Sequence, residues 1–290
     1  IVAGNRFVAM DKQLGQRLIP IKLKKEVAQR EQSFQRSFIF CMAAVLLFGC
    51  SVKTEEKENY SDEMKIAHTV DLSEDDGADS VEREGDQKES PYFKHPDFYH
   101  MKSTGTLTLL PKFKTMQQTS EWSCGVDAAL MVLQYYGKLG KHNEETLAQL
   151  RTNKLKSEAT SLQSMIQIFE GVGGFQIHST YDYRESDYDK INLRMIQDFL
   201  KKGIPVMVAW NDWGGHWQVI IGYDTMGTET TQDDVLIVAD SYDTTDHNQD
   251  GYGIYPAERF YYNWTMYDFF SKNYGIAERD KLFIAAEPKA

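Results

Sequence analysis

The chain has 290 residues, a net charge of -11 and three cysteines, Cys41, Cys50 and Cys124. The acidic balance excludes nucleic acid as the main partner, because phosphate binding needs a basic footprint. Three cysteines exclude a disulfide framework, so the fold must rest on an apolar core, and the length admits one sizeable domain plus further segments. Charge divides the chain in three. Residues 1–49 carry eight Lys/Arg against three Asp/Glu, residues 51–90 carry five against fourteen, and the remainder holds -7.

In chain order, the first informative run is FIFCMAAVLLFG at residues 38–49. Its 12 residues are too few for the ~20 that span a bilayer as a helix. They suit the apolar region of a signal peptide, and Lys24, Lys25, Arg30 and Arg36 supply the basic flank before it. The run ends Leu47-Phe48-Gly49-Cys50, which resembles the lipobox of bacterial lipoproteins, although that family prefers a small residue where Phe48 stands. The resemblance implies lipidation at Cys50 and an exported, cell-envelope lipoprotein held on the membrane by acyl chains. A buried core helix is the other reading, but the chain turns polar directly after Cys50. The long basic stretch and Ile1 in place of Met suggest an upstream start or a fragment, so residues 1–49 are expected to be a leader.

Residues 50–90 are rich in Glu, Asp, Ser and Lys with one aromatic, Tyr60. Such a stretch cannot bury enough surface to offset ordering entropy, and a disordered acidic tether is expected. Composition changes at Ser90-Pro91, and residues 91–290 are expected to form the domain. Apolar residues at helical spacing run over 124–136 and stop at Gly137. Asn143 caps a second helix, and further helices are expected over 161–170 and 191–202. Runs rich in Val, Ile and aromatics at 175–179, 205–210, 216–223, 235–240 and 282–286 read as strands. Helices come first and antiparallel strands follow, an α+β class.

Three stretches carry chemistry. In Gln118-Thr-Ser-Glu-Trp-Ser-Cys124-Gly125, the cysteine opens a helix, where backbone N–H groups and the macrodipole favour thiolate, the nucleophilic form. Gln118 can bring a side-chain amide to an oxyanion beside the Cys124 N–H. A cysteine at such a site is otherwise a packing residue. In Trp213-Gly-Gly-His216-Trp-Gln, the histidine opens an apolar strand and can serve as the base. The remaining histidines fit less well: His68, His95 and His100 lie in or near the tether, His142 and His247 in polar turns, and His178 within a strand. In Val235-Leu-Ile-Val-Ala-Asp240, a carboxylate ends an apolar strand and needs a partner such as the His216 ring. Its rival, Asp224, lies eight residues along the histidine's own strand, too far to touch the ring.

These pieces together resemble the bacteriocin-processing cysteine peptidases, the double-glycine-leader proteases of the papain-like class. The residues that carry the resemblance are Gln118, Cys124-Gly125, Tyr135-Tyr136-Gly137, Gly203-Ile-Pro205, His216 with Gly222-Tyr223-Asp224, and Asp240. It covers roughly residues 113–245. It implies a papain-like fold with N-terminal helices on an antiparallel sheet, and peptide-bond hydrolysis of a peptide or protein substrate by Cys124, His216, Asp240 and Gln118. Where the family often has Asp-Pro this chain has Asp240-Ser241, and residues 225–234 lengthen the gap between base and acid. The membrane domain and ATPase of the bacteriocin exporters are absent from this chain, so cleavage of double-glycine leaders is not implied.

Trp122, Trp213 and Trp217 flank the nucleophile and base and either wall a substrate groove or belong to the core. Asp246, Asn248 and Asp250, followed by Gly251, match the start of a calcium loop, with Asp243 close by. A full loop would place Glu at the twelfth position, where Ala257 stands, so a structural Ca²⁺ and a plain polar turn are both open, and the chemistry requires no cofactor. Two rival functions stay in play: an acyltransferase using the same thiol, and a peptidase-like surface lipoprotein that binds without catalysis.

Overall fold

The computed structural model describes residues 62–73, 76–81, 96–246 and 248–290. The leader run and Cys50 lie outside them. Among the described residues no helix is long and apolar enough to cross a membrane.

Among the described residues five helices and seven strands make an α+β fold. The helices are α1 (Cys124–Tyr135), α2 (Glu144–Ala148), α3 (Leu162–Val172), α4 (Leu193–Lys201) and α5 (Ala257–Asn263). The strands are β1 (Leu107–Leu109), β2 (Phe175–Ser179), β3 (Val206–Trp210), β4 (His216–Asp224), β5 (Val235–Ala239), β6 (Tyr252–Pro256) and β7 (Leu282–Pro288). All pairings within the sheet are antiparallel, in the order β2-β7-β3-β4-β5-β6, with β1 on the far end of β4.

The helices begin where the side chains can cap them. Asn143, Ser161 and Asn192 each accept a hydrogen bond from the backbone N–H three residues on, and all three sit in extended backbone. Helix α1 is the exception, for Ser123 offers no side-chain cap. It is held by burial instead, since every residue from Cys124 to Leu133 is buried. It ends at Gly137, whose φ of +63° is the left-handed conformation that stops a helix.

Helix α1 packs on β4, which is buried from His216 to Tyr223. That contact brings the start of α1 to the start of β4. Register does the rest. Trp210 of β3 faces His216 of β4, and Ala239 of β5 faces Val219, so the next residue, Asp240, falls opposite Gln218 and diagonal to His216. The register of β4 on β5 shifts at Ile220/Gly222, β1 pairs with Gly222–Asp224 of β4 beyond the end of β3, and any side chain at Gly222 would collide with Leu109 and the Thr108 carbonyl.

The expected tether differs from the structure over the described part of residues 50–90. Ile66 N–H donates to the Thr115 carbonyl at 2.8 Å, and Thr115 N–H donates to Met64 at 2.9 Å. Ala78 N–H donates to the Gln118 carbonyl at 2.9 Å, Leu72 N–H to Thr119 Oγ1 at 3.0 Å and Gly77 N–H to Glu121 at 3.0 Å. Gly77 lies so close to the 118–120 backbone that a Cβ would meet Thr119 C at 2.5 Å. A few well-placed backbone bonds and the buried Met64 and Ala78 order a stretch whose average composition is polar.

Candidate functional site

Cys124 is the first residue of α1 and is buried. Its thiol pKa is lowered by the neighbouring His216. The opposite ring nitrogen of His216, Nε2, donates to Asp240 Oδ1 at 2.6 Å. That bond leaves Nδ1 as the nitrogen facing the thiol. Asp240 is tied at both oxygens. Oδ1 also accepts from Tyr242 N–H at 2.7 Å, and Oδ2 accepts from Gln218 Nε2 at 2.7 Å. Gln218 is fixed in turn by Trp210 Nε1–H, which donates to its Oε1 at 2.7 Å. A line of buried polar groups therefore runs Trp210, Gln218, Asp240, His216, Cys124.

Electrostatics follow this line. Burial pushes the Cys124 thiol up, but the hydrogen bond and charge of His216, and then the backbone N–H groups of Trp217 and Gly125, outweigh it, so the thiol sits below its ordinary value. Burial works against a charged imidazole, yet the Asp240 charge and hydrogen bond, followed by Cys124, raise His216 well above the usual histidine range. Burial raises Asp240, and the His216 charge overcomes this to hold it below the usual carboxylate range. The arrangement favours thiolate, imidazolium and carboxylate in sequence. A thiolate of this kind can attack a carbonyl carbon, and the imidazolium can return a proton to a leaving group.

Gln118 is buried beside them. Its Nε2 donates to the Ser120 carbonyl at 2.8 Å and its Oε1 accepts from Ser241 Oγ at 2.8 Å. The Ser120 carbonyl can only accept, so it fixes which end of the amide is nitrogen. Gln118 N–H also donates to the Ser241 carbonyl at 2.9 Å. Asp224, the rival acid, sits at the far end of β4 and accepts from Met226 N–H at 2.8 Å in a turn.

The three tryptophans part company. Trp217 belongs to the core, which corrects the expectation of a groove residue. It is 3 % exposed, and its Nε1–H donates to the Thr160 carbonyl at 2.7 Å. Strand alternation explains this, because its neighbour His216 already takes the other face of β4. Trp122 is half-buried with Arg151 stacked 4.5 Å from its ring centroid. Trp213 is 61 % exposed, lies in a left-handed backbone (φ +51°) and packs its ring 5.6 Å from Tyr242. The following Gly214 and Gly215 also have positive φ, and a Cβ on Gly215 would strike Met266 and Phe269.

The turn over residues 243–251 is described except for residue 247. Among the described residues no three acidic, histidine or cysteine side chains gather at metal-binding separations. The turn uses its carboxylates on its own backbone. Asp246 accepts from Asn248 N–H at 3.0 Å, Asp250 from Tyr252 N–H at 2.8 Å and Asp243 from Gly251 N–H at 2.8 Å. Lys65 brings its ammonium to the Gln249 carbonyl beside them.

Sequence reasoning passed over Gln218, Ser241, Tyr242 and Arg151. Gln218 was within reach, since period-two alternation puts it on the same face as His216. Ser241 and Tyr242 follow the acid directly. Arg151 stands in a polar loop that gave no signal.

No curated protein matches the chain. A protein-family model does match, over residues 111–271, a span that holds Gln118, Cys124, His216 and Asp240, and by that match the chain belongs to the Peptidase_C39 like family.

Proposed function

We propose that the chain is a cysteine peptidase that hydrolyses peptide bonds in peptide or protein substrates, with Cys124 as nucleophile, His216 as general acid and base, Asp240 as the group that orients His216, and Gln118 as an oxyanion donor. The observation that carries this reading is the buried line from Cys124 through His216 to Asp240, each group shifted toward its charged form.

The thiolate Sγ attacks the scissile carbonyl carbon, and the carbonyl π pair moves onto oxygen. The Cys124 N–H and the second hydrogen of Gln118 Nε2, the one not given to Ser120, stabilise that oxyanion. The C–N bond breaks as His216 Nδ1–H passes its proton to the leaving amine, leaving a thioester. Water attacks the thioester, His216 takes its proton, and the carboxylic acid departs from the regenerated thiolate–imidazolium pair. Asp240 keeps Nε2–H bound throughout, so the ring stays in one orientation while its charge changes.

The packing of a helix that begins at Cys124 against the strand that begins at His216 supports this reading, and it is the arrangement expected of a papain-like fold. We further propose that the chain is exported and anchored through acylated Cys50, on the strength of the basic flank, the short apolar run and the Gly49-Cys50 junction.

The test is the pH dependence of iodoacetamide alkylation at Cys124, followed by mass spectrometry of the peptide that contains it. An ordinary thiol titrates near ~8.5. Alkylation that stays fast at pH 6 in the wild type and slows in His216→Ala is expected, together with cleavage of a peptide library that Cys124→Ala abolishes. Slow alkylation rising only above pH 8, equal in both proteins, would remove the Cys–His pair and the peptidase with it.

A further inference from the structure

Arg151 is among the largest fully buried side chains of the described residues. All its N–H groups are used. Nε and Nη2 donate to the Lys154 carbonyl, Nη2 also to the Lys156 carbonyl at 3.0 Å, and Nη1 to the Glu158 carbonyl at 3.0 Å and Thr160 Oγ1 at 3.1 Å. Every acceptor is a neutral oxygen. No carboxylate of the described residues lies within ion-pair distance of it. The flat face of the guanidinium lies on Trp122, two residues before the nucleophile.

A buried cation without a counter-ion is costly, so one that persists needs an account. Its surroundings supply one. Thr160, which takes one Nη1 bond, presses on the first turn of α1, and a Cβ on Gly125 would come within 2.7 Å of it. The guanidinium is thereby held beside the first turn of α1. Burial lowers Arg151 to about 10, and the charges of Cys124 and then Glu158 work against that fall. We infer that Arg151 is a positioning residue for the nucleophile: it staples loop 151–160 against the start of α1 and supplies the positive charge that faces the Cys124 thiolate. The charges then alternate along the site, from Asp240 to His216 to Cys124 to Arg151. At Cys124 itself His216 and the N–H groups of Trp217 and Gly125 act more strongly, so Arg151 assists rather than governs. The inference rests on the Cys124–His216 pairing proposed above.

The experiment uses the full chain and reads alkylation at Cys124 by iodoacetamide from pH 5 to 10, with Arg151→Met, Arg151→Lys and wild type compared. Arg151→Met is expected to slow alkylation at pH 6 by about fivefold while the high-pH plateau holds, because only the thiolate fraction changes. Arg151→Lys keeps the charge but loses the fork, and it should recover most of the rate at pH 6 even with a lower melting temperature. A folded Arg151→Met protein whose profile overlays the wild type would overturn the inference and leave Arg151 as a loop staple. If Arg151→Met does not fold, Glu158→Gln decides, since that residue is exposed and its charge opposes that of Arg151. About twofold faster alkylation at pH 6 is expected there from weak surface electrostatics, and an unchanged rate would overturn the inference. A wild type that His216→Ala matches at every pH would instead remove the pairing itself, and this inference with it.

Discussion

Asp240→Asn is the sharpest probe of the buried line. Both carboxylate oxygens accept: Oδ1 from His216 Nε2 at 2.6 Å and Tyr242 N–H at 2.7 Å, Oδ2 from Gln218 Nε2 at 2.7 Å. An asparagine has one oxygen for these three donors. With that oxygen toward His216 and Tyr242, its NH₂ points at the NH₂ of Gln218. Turning Gln218 over relieves this clash but sets the same NH₂ against Trp210 Nε1–H, now bonded to Oε1 at 2.7 Å. Every arrangement leaves two donors facing each other in a buried place, at a cost of about 1–3 kcal/mol. Loss of the charge removes a further charge-assisted bond of about 1.5–3 kcal/mol from the imidazolium, equivalent to a ten- to hundredfold smaller thiolate–imidazolium population near neutrality. The sign follows from the direction of the His216 shift. A raised native value stabilises the fold below the unfolded histidine value, and that stability is lost as pH rises through the native one. In Asp240→Asn this contribution vanishes, so the variant should lose most stability on the acid side of neutrality. Thermal melts from pH 5 to 8 and Cys124 alkylation at pH 6 read the two effects separately. A variant with wild-type melting temperatures and an unshifted alkylation profile would refute the reasoning.

Two further outcomes follow from the same geometry. Ser241→Ala removes the hydroxyl that donates to Gln118 Oε1, a bond of about 0.5–1.5 kcal/mol, and should lower kcat by about threefold to tenfold. The alkylation profile should hold, since alkylation makes no oxyanion; a shifted profile, or an unchanged kcat, would count against a role for Gln118. Asp243 is pushed up to about 9 by burial and then by Asp246, Asp240 and Asp250. The native state therefore keeps a proton that the unfolded chain has released, and stability should fall as pH rises between about 4 and 9, by at most ~1.4 kcal/mol per pH unit. Asp243→Asn, which can still accept from Gly251, should flatten melting temperature against pH over 5 to 8, and parallel slopes would speak against it.

Much of the fold is legible because its elements are punctuated by residues with one strong preference. Asn143, Ser161 and Asn192 start helices, and Gly137 and Gly203 follow the ends of α1 and α4. Strands β2 to β5 and β7 are apolar enough to stand out. Strand β6 and helix α5 are not: Tyr252–Pro256 alternates around a glycine and a proline, and Ala257–Asn263 has no side-chain cap. Strand β1 has three residues and exists because β4 offers it an edge. The same contrast holds at the candidate site. Cys124, His216 and Asp240 each sit at the end of an element, where local pattern points to them. The groups that hold them come from cross-strand register and loop closure. Residues 62–73 and 76–81 show the limit most plainly, for they bond to residues 115–121 in a way that no local composition reveals.

Asp240 and Ser241 are consecutive, yet one grips the ring of His216 and the other grips Gln118 at both its amide oxygen and its backbone N–H. A displacement of this one joint therefore carries the imidazole and the carboxamide together. Thermal motion of the loop becomes a shared translation of both groups, and their mutual separation is less variable than the position of either. The distance that must stay constant is thus protected by one peptide bond rather than by the rigidity of the whole domain.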